Sequence, residues 1–280
     1  MTFIASIPTT ESVVMVSDSR ETISRTVLPY DDLIDLLKHP DLGSFVANGA
    51  VDESKLQTSW AEKFIALNEP KDGVQKIYQL SDFSAIQIAG TVEYSGTTVV
   101  DIIKRIKSQL ESDTDALYGS EFADFVLAHF KPFLPDHSKS SEGKLSDPAV
   151  AHDASYILSS FDPENGIPHV SLFKYISDGK FKGHGFDYSF GIEQPRIQYT
   201  MYVGGSGANN TCVQSLKSVN PKLPLTTERG LDILSAASML SLLWERLNNR
   251  IHEVGGCIRF AIIDASGYRE FDAPIINWHS

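Results

Sequence analysis

Short apolar runs separated by turn residues open the chain, and longer runs of helical period interrupt them later. Residues 2–7 have the pattern of a short strand, 8–12 that of a turn, and 13–17 that of a buried return strand. Pro8 has no amide hydrogen to give a ladder, so it belongs at the end of the first strand. Leu33, Ile34, Leu36 and Leu37 recur at helical spacing, and so do Trp60, Phe64, Ile65 and Leu67. This predicts a helical and partly irregular insert over 27–70, divided by Pro40, Gly43 and Gly49 and closed by Pro70. Strand pattern returns at 76–80 and at 83–89, where it stops at Gly90.

Two amphipathic helices follow. Val99, Ile102, Ile103, Ile106 and Leu110 mark one over 95–111, and Phe122, Phe125, Val126 and Phe130 mark another over 120–133. Residues 137–150 are rich in Ser, Lys, Glu, Gly and Pro, the composition of a mobile loop. Strands are predicted at 156–161, 170–176, 181–186 and 198–204, then a long helix over 226–252 and a hairpin at 257–264 and 268–271. The order predicts one α+β domain over 1–280, with sheets stacked between helical layers as a four-layer α/β/β/α sandwich.

Composition narrows the function. With 42% apolar residues the chain has ample material for a core, and its charge of 24 − 36 = −12 is unbroken by any basic run. That argues against nucleic-acid partners and anionic membrane surfaces. No segment has the ~18–20 uninterrupted apolar residues of a membrane span, and the start lacks the pattern of a secretory signal. Cys212 and Cys257 lack metal-ligand spacing, which fits a reduced, cytoplasmic protein. The scattered histidines form no His-Glu-x-x-His, there is no Gly-x-Ser-x-Gly, and Gly204-Gly205-Ser206-Gly207 lacks the lysine of a phosphate loop. Neither a metal nor an organic cofactor is expected.

The candidate chemistry begins at Thr2. A residue this small allows Met1 to be trimmed, leaving an amine and a hydroxyl on one residue, a nucleophile with its own base. Sixteen positions later (18 − 2) an apolar run ends in Ser17-Asp18-Ser19-Arg20. Lys76-Ile77 precedes Ala89-Gly90 by an interval of 14 (90 − 76), and Gly204-Gly205-Ser206-Gly207-Ala208 follows. In order and spacing these elements, with the strand Val170-Ser171-Leu172-Phe173, resemble the proteasome β-subunit type of N-terminal nucleophile (Ntn) hydrolase. The resemblance covers most of the chain outside 27–70 and 137–150.

The resemblance implies roles for particular residues. Thr2 Oγ would attack and its α-amine, ordinarily titrating at about 7.7–8.0, would take the proton. A Lys76 ammonium nearby would lower that value, and Asp18 would hold Lys76. The Gly90 N–H would donate to the oxyanion, a bond worth about 10²–10³ in rate. Ser206 would orient the amine, and Arg20 would be a structural partner. Val74, Tyr78, Ile88 and Val92 would build a mainly apolar substrate pocket. Lys76→Ala would abolish turnover with folding intact. The expected activity is a threonine-type peptidase or amidase acting on a peptide or protein, assembled as a homo-oligomeric ring or partial ring.

Plainer readings stand beside these. Lys76 is also a suitable edge-strand lysine, Asp18 and Arg20 a suitable surface ion pair, Gly90 a bend and Ser206 a helix cap. The family's last long helix ends in Asp-x-x-Ser-Gly-Gly. Here Gly255-Gly256 align, but the acid and serine positions hold Ile251 and Val254, whose side chains neither donate nor accept. That departure favours a catalytically silent assembly subunit. The 27–70 insert is expected to be a lid or a subunit contact; as a lid it gives a third outcome, a dry cleft in which an amine captures the ester, making a peptide ligase.

Overall fold

An apolar strand with no polar face must be covered on both sides, and the opening hairpin meets that requirement. The computed structural model describes residues 3–27, 38, 46–47, 50–51, 65–90, 93–94, 96–112, 116–133, 154–175, 181–182, 201–204, 225–248 and 256–272. The chain forms β1 (Ile4–Pro8), β2 (Ser12–Asp18), β3 (Glu21–Val27), β4 (Val46–Ala47), β5 (Ala50–Val51) and β6 (Ile65–Lys71). It continues through β7 (Ile77–Ser81), β8 (Ser84–Ala89), β9 (Glu93–Tyr94), β10 (Thr97–Thr98), α1 (Val99–Ser112) and α2 (Gly119–Phe130). Then come β11 (Ala154–Asp162), β12 (Ile167–Tyr175), β13 (Phe181–Lys182), β14 (Tyr202–Gly204), α3 (Thr227–Asn248), β15 (Ile258–Asp264) and β16 (Gly267–Asp272).

Two compact units result. One comprises Met1–Glu21 with Asp72–Ser280, the other Thr22–Lys71. The first holds two five-stranded antiparallel sheets, ordered β14-β1-β2-β15-β16 and β13-β12-β11-β8-β7. In β2, Val13 and Met15 join a cluster with Ala85, Ile157 and Phe161 of the other sheet, while Val14 and Val16 face Leu234 and Ala237 of α3. On the second sheet Ile86, Ile88 and Leu158 face Ile102 and Ile106 of α1 and Phe122 and Val126 of α2. Each Val or Ile buried this way contributes about 1.5–3 kcal/mol.

Several elements differ from the sequence pattern. Pro8 does end β1, but α1 begins at Val99 rather than 95, because Thr98 caps it. The Thr98 hydroxyl accepts the Asp101 amide at 3.1 Å, an N-cap, and donates to the Asp101 carboxylate at 2.7 Å. The helical expectation for 27–70 is corrected where that stretch is described. Apart from helical Lys38, its described residues are extended, and Ile65 and Leu67 lie in β6, which pairs with β3. Pro70 falls inside that strand instead of closing a helix. Short apolar runs fit both periods, and strand pairing decided this one. Residues 137–150, 183–186, 198–200 and 249–252 lie outside the described residues.

Candidate active site

Asp18 ends β2 and is fully buried. Its amide donates to Phe3 O at 3.0 Å, closing the β1–β2 ladder one pair beyond Ile4–Ser17. Its carboxylate turns back on the same residue: Oδ1 accepts the Phe3 amide at 2.8 Å. The same Oδ1 accepts Lys76 Nζ at 2.7 Å, and Oδ2 accepts the Arg20 amide at 3.3 Å. One buried carboxylate therefore holds the start of β1, the turn after β2 and an ammonium 58 positions away (76 − 18).

Lys76 stands one residue before β7 and is 4% exposed. Its Nζ also donates to Arg20 O. Its own carbonyl accepts the Ile88 amide at 3.0 Å, so the lysine backbone rides on β8. Gly90 follows the end of β8 with φ at 102°, a conformation that side-chain-bearing residues rarely adopt. On the other side of β1, Gly204 pairs with Ile4, two positions before Ser206. Thr2, Ser206, Val92, Ile251 and Val254 lie outside the described residues.

Other side chains form the surroundings, and spacing alone did not flag them. Ser19 Oγ accepts the Cys257 amide at 2.8 Å, and Ser19 O accepts the Val74 amide at 2.9 Å. Gly256, at φ 73°, passes so near that a Cβ on it would clash with Ser19 Oγ and come within 3.1 Å of Asp72 Oδ1. Arg20 grips Asp72 through two parallel bonds, Nε to Oδ1 at 2.6 Å and NH2 to Oδ2 at 2.9 Å. That bond is the main reason the Asp72 carboxyl sits below the usual carboxylate range. Gln87 did carry a signal, a lone amide in the apolar strand Ser-Ala-Ile-Gln-Ile-Ala.

Three of the four expected pocket residues are among the described ones. Tyr78 and Ile88 pack into the cluster under α1 and α2, and the Tyr78 hydroxyl donates to Gln75 O at 2.8 Å. Val74 is half-buried. A groove of about 560 Å³ on α1 and α2, lined by Ile102, Arg105, Gln109, His129 and Phe133, contains none of the candidate residues. Among the described residues no His, Cys, Asp and Glu cluster suits a metal ion, Cys257 is a free exposed thiol, and no helix is long and apolar enough to cross a membrane. No protein-family model matches the chain, and no curated protein matches it either.

A cation and an anion share this buried end of β2 with the first described amide of the chain. Such a pair has a definite orientation because water does not compete for its bonds. The ammonium is held to the start of β1 through the one carboxylate oxygen that also accepts the Phe3 amide.

Proposed function

We propose that this chain is a threonine-type Ntn hydrolase of proteasome-like form, cleaving a peptide or amide bond through an ester on Thr2 Oγ after Met1 is removed. The observation that carries the reading is the Asp18 carboxylate shared by Phe3 N–H and Lys76 Nζ. Phe3 N is the atom through which Thr2 joins the chain, so the shared carboxylate ties the nucleophile's attachment point to the ammonium. The two antiparallel sheets, each with helices on one face, support a four-layer α/β/β/α Ntn sandwich. The proposal includes a cytoplasmic, homo-oligomeric protein acting on peptides or proteins.

The chemistry proceeds in two halves. The Thr2 hydroxyl proton passes to the α-amine as Oγ bonds to the scissile carbonyl carbon, and the Gly90 N–H stabilises the oxyanion. The carbon–nitrogen bond then breaks, with the α-ammonium returning its proton to the leaving amine. Water attacks the ester, the α-amine takes one of its protons, and Thr2 Oγ leaves as the hydroxyl with the acid product. Lys76 remains protonated throughout and favours the neutral form of the α-amine.

A second reading, an assembly subunit without chemistry, is favoured by Ile251 and Val254 at the family's acid and serine positions. Intact mass before and after incubation with a peptide epoxyketone separates the two, because that probe reacts with the hydroxyl and the amine of one residue. The hydrolase predicts loss of Met1 and one adduct of the probe's full mass, absent from Thr2→Ala. Retained Met1, or a trimmed chain that takes no adduct, would overturn it in favour of the silent subunit.

A further inference from the structure

Gln87 lies in the middle of β8, fully buried, between the two sheets. Its Nε2 donates to Val16 O at 2.8 Å and to Ala5 O at 3.2 Å, and its Oε1 accepts the Ser6 hydroxyl. Ala5 and Val16 are ladder partners, so a single amide grips both strands of the opening hairpin. In an antiparallel ladder bonded pairs alternate, and the bond from Asp18 N to Phe3 O makes Ala5–Val16 a bonded pair as well. Both carbonyls therefore use one lone pair within the sheet and a second on Gln87.

Apolar contacts between two sheets set their separation but are non-directional, and they tolerate sliding along the strands. Hydrogen bonds are directional and do not. The groups assigned to chemistry lie close to this fixed point along the chain. Gly90 is three residues beyond Gln87 (90 − 87), Thr2 three before Ala5 (5 − 2), and Asp18 two beyond Val16 (18 − 16). Lys76 is bonded to the adjacent Ile88 amide.

We propose that Gln87 is a positioning residue, whose bonds to Ala5 O and Val16 O set the offset between β8 and the β1–β2 hairpin and hence the approach of Thr2 Oγ to a carbonyl held at Gly90. The inference rests on the reading of the chain as a Thr2 hydrolase. Gln87 touches no substrate. It acts through the strands that carry the reacting groups, where a displacement of about 1 Å is enough to cost roughly 10²-fold in rate.

Gln87→Met keeps the volume and removes all three bonds, leaving each strand carbonyl its ladder partner. Ser159→Ala is the control, because Ser159 occupies the same buried layer and contacts Ser6 at 3.4 Å without bonding Gln87. Epoxyketone labelling followed by intact mass gives the rate at saturating probe and the probe concentration at half-saturation, both corrected for the folded fraction. The expected result for Gln87→Met is a saturating rate lower by about 10–100-fold, with unchanged half-saturation and an unchanged pH midpoint. Ser159→Ala should label as the wild type does. A merely structural role would lower the melting temperature and leave the saturating rate of the folded molecules alone.

An unchanged saturating rate in folded Gln87→Met, or an equal loss in Ser159→Ala, overturns the proposal. Should Gln87→Met not fold, Ser6→Ala removes a single bond to the amide and is expected to slow labelling by about threefold, on the order of 0.6 kcal/mol. No slowing there overturns the proposal too. Wild-type protein that takes no adduct removes the Thr2 reading and this inference with it, whereas normal wild-type labelling with an unaffected Gln87→Met removes this inference alone.

Discussion

Two ion pairs sit two positions apart at the end of β2, and they differ in almost everything except charge. Arg20–Asp72 has the better geometry, two parallel bonds at 2.6 and 2.9 Å, but its side chains are 21% and 53% exposed. Lys76–Asp18 is linked at 2.7 Å through one oxygen, and its side chains are 5% and 0% exposed. Water screens the first and competes for its bonds, so good geometry contributes little. The second has lost its water, so each charge depends on the other and on the amides of Phe3 and Arg20. Geometry makes a pair visible, and burial decides what its loss costs.

The largest break in this comparison is Lys76→Met. It takes the bonded ammonium away from the buried Asp18 carboxylate, and urea unfolding should show a loss of about 3–5 kcal/mol. Adding Asp18→Asn should recover more than half of that, since no buried charge then remains. This also amends the expectation drawn from sequence. Removing Lys76 should weaken folding as well as turnover, so activity must be normalised to the folded fraction.

Next in size is Gly256→Ala, which tests the tight contact between the two pairs. The left-handed backbone and the bonded Ser19 Oγ beneath it should together cost about 1–3 kcal/mol. A neutral substitution would show that this turn relaxes freely.

Arg20→Ala and Asp72→Ala should each cost at most about 1 kcal/mol, with a double-mutant coupling that fades in 1 M salt, where screening acts within about 3 Å. A salt-independent coupling would mean the pair is more sheltered than its exposure indicates.

The smallest effect is one of pH. The hydrogen bond from Arg269 holds the Asp264 carboxyl below its ordinary range, as Arg20 does for Asp72. A carboxyl depressed in the folded state binds protons more readily when unfolded. Its contribution is therefore present above the unfolded value of about 3.9 and disappears as pH falls through the lower folded value. Asp264→Asn should lower the melting temperature slightly at neutral pH and flatten the acid limb of its pH profile, the two profiles converging at low pH.

Periodicity made much of the architecture legible, because it responds to burial. The unbroken apolar run from Val13 to Val16 required cover on both faces, and Val99, Ile102, Ile103 and Ile106 required it on one. It misled at Ile65 and Leu67, where a short run fits either period and pairing with β3 decided the outcome. At the site, Asp72 gave no warning, since a carboxylate beside Gly73 looks like any turn residue. The bond from the Tyr78 hydroxyl to Gln75 O, three residues away, gave no signal in the sequence either. Gln87 was readable all along, because an amide among apolar neighbours needs partners that only another strand can offer.

The place of β1 between β2 and β14 has a mechanical consequence. Both neighbours run antiparallel to it, so tension on the N-terminal end loads two ladders in shear at once. Strand β16, at the other end of the described chain, is an edge with the single neighbour β15. A motor that threads and unravels proteins would meet less resistance at the β16 end, where a single ladder holds the first strand it detaches, and β1, next to the proposed nucleophile, would be the last strand it reached.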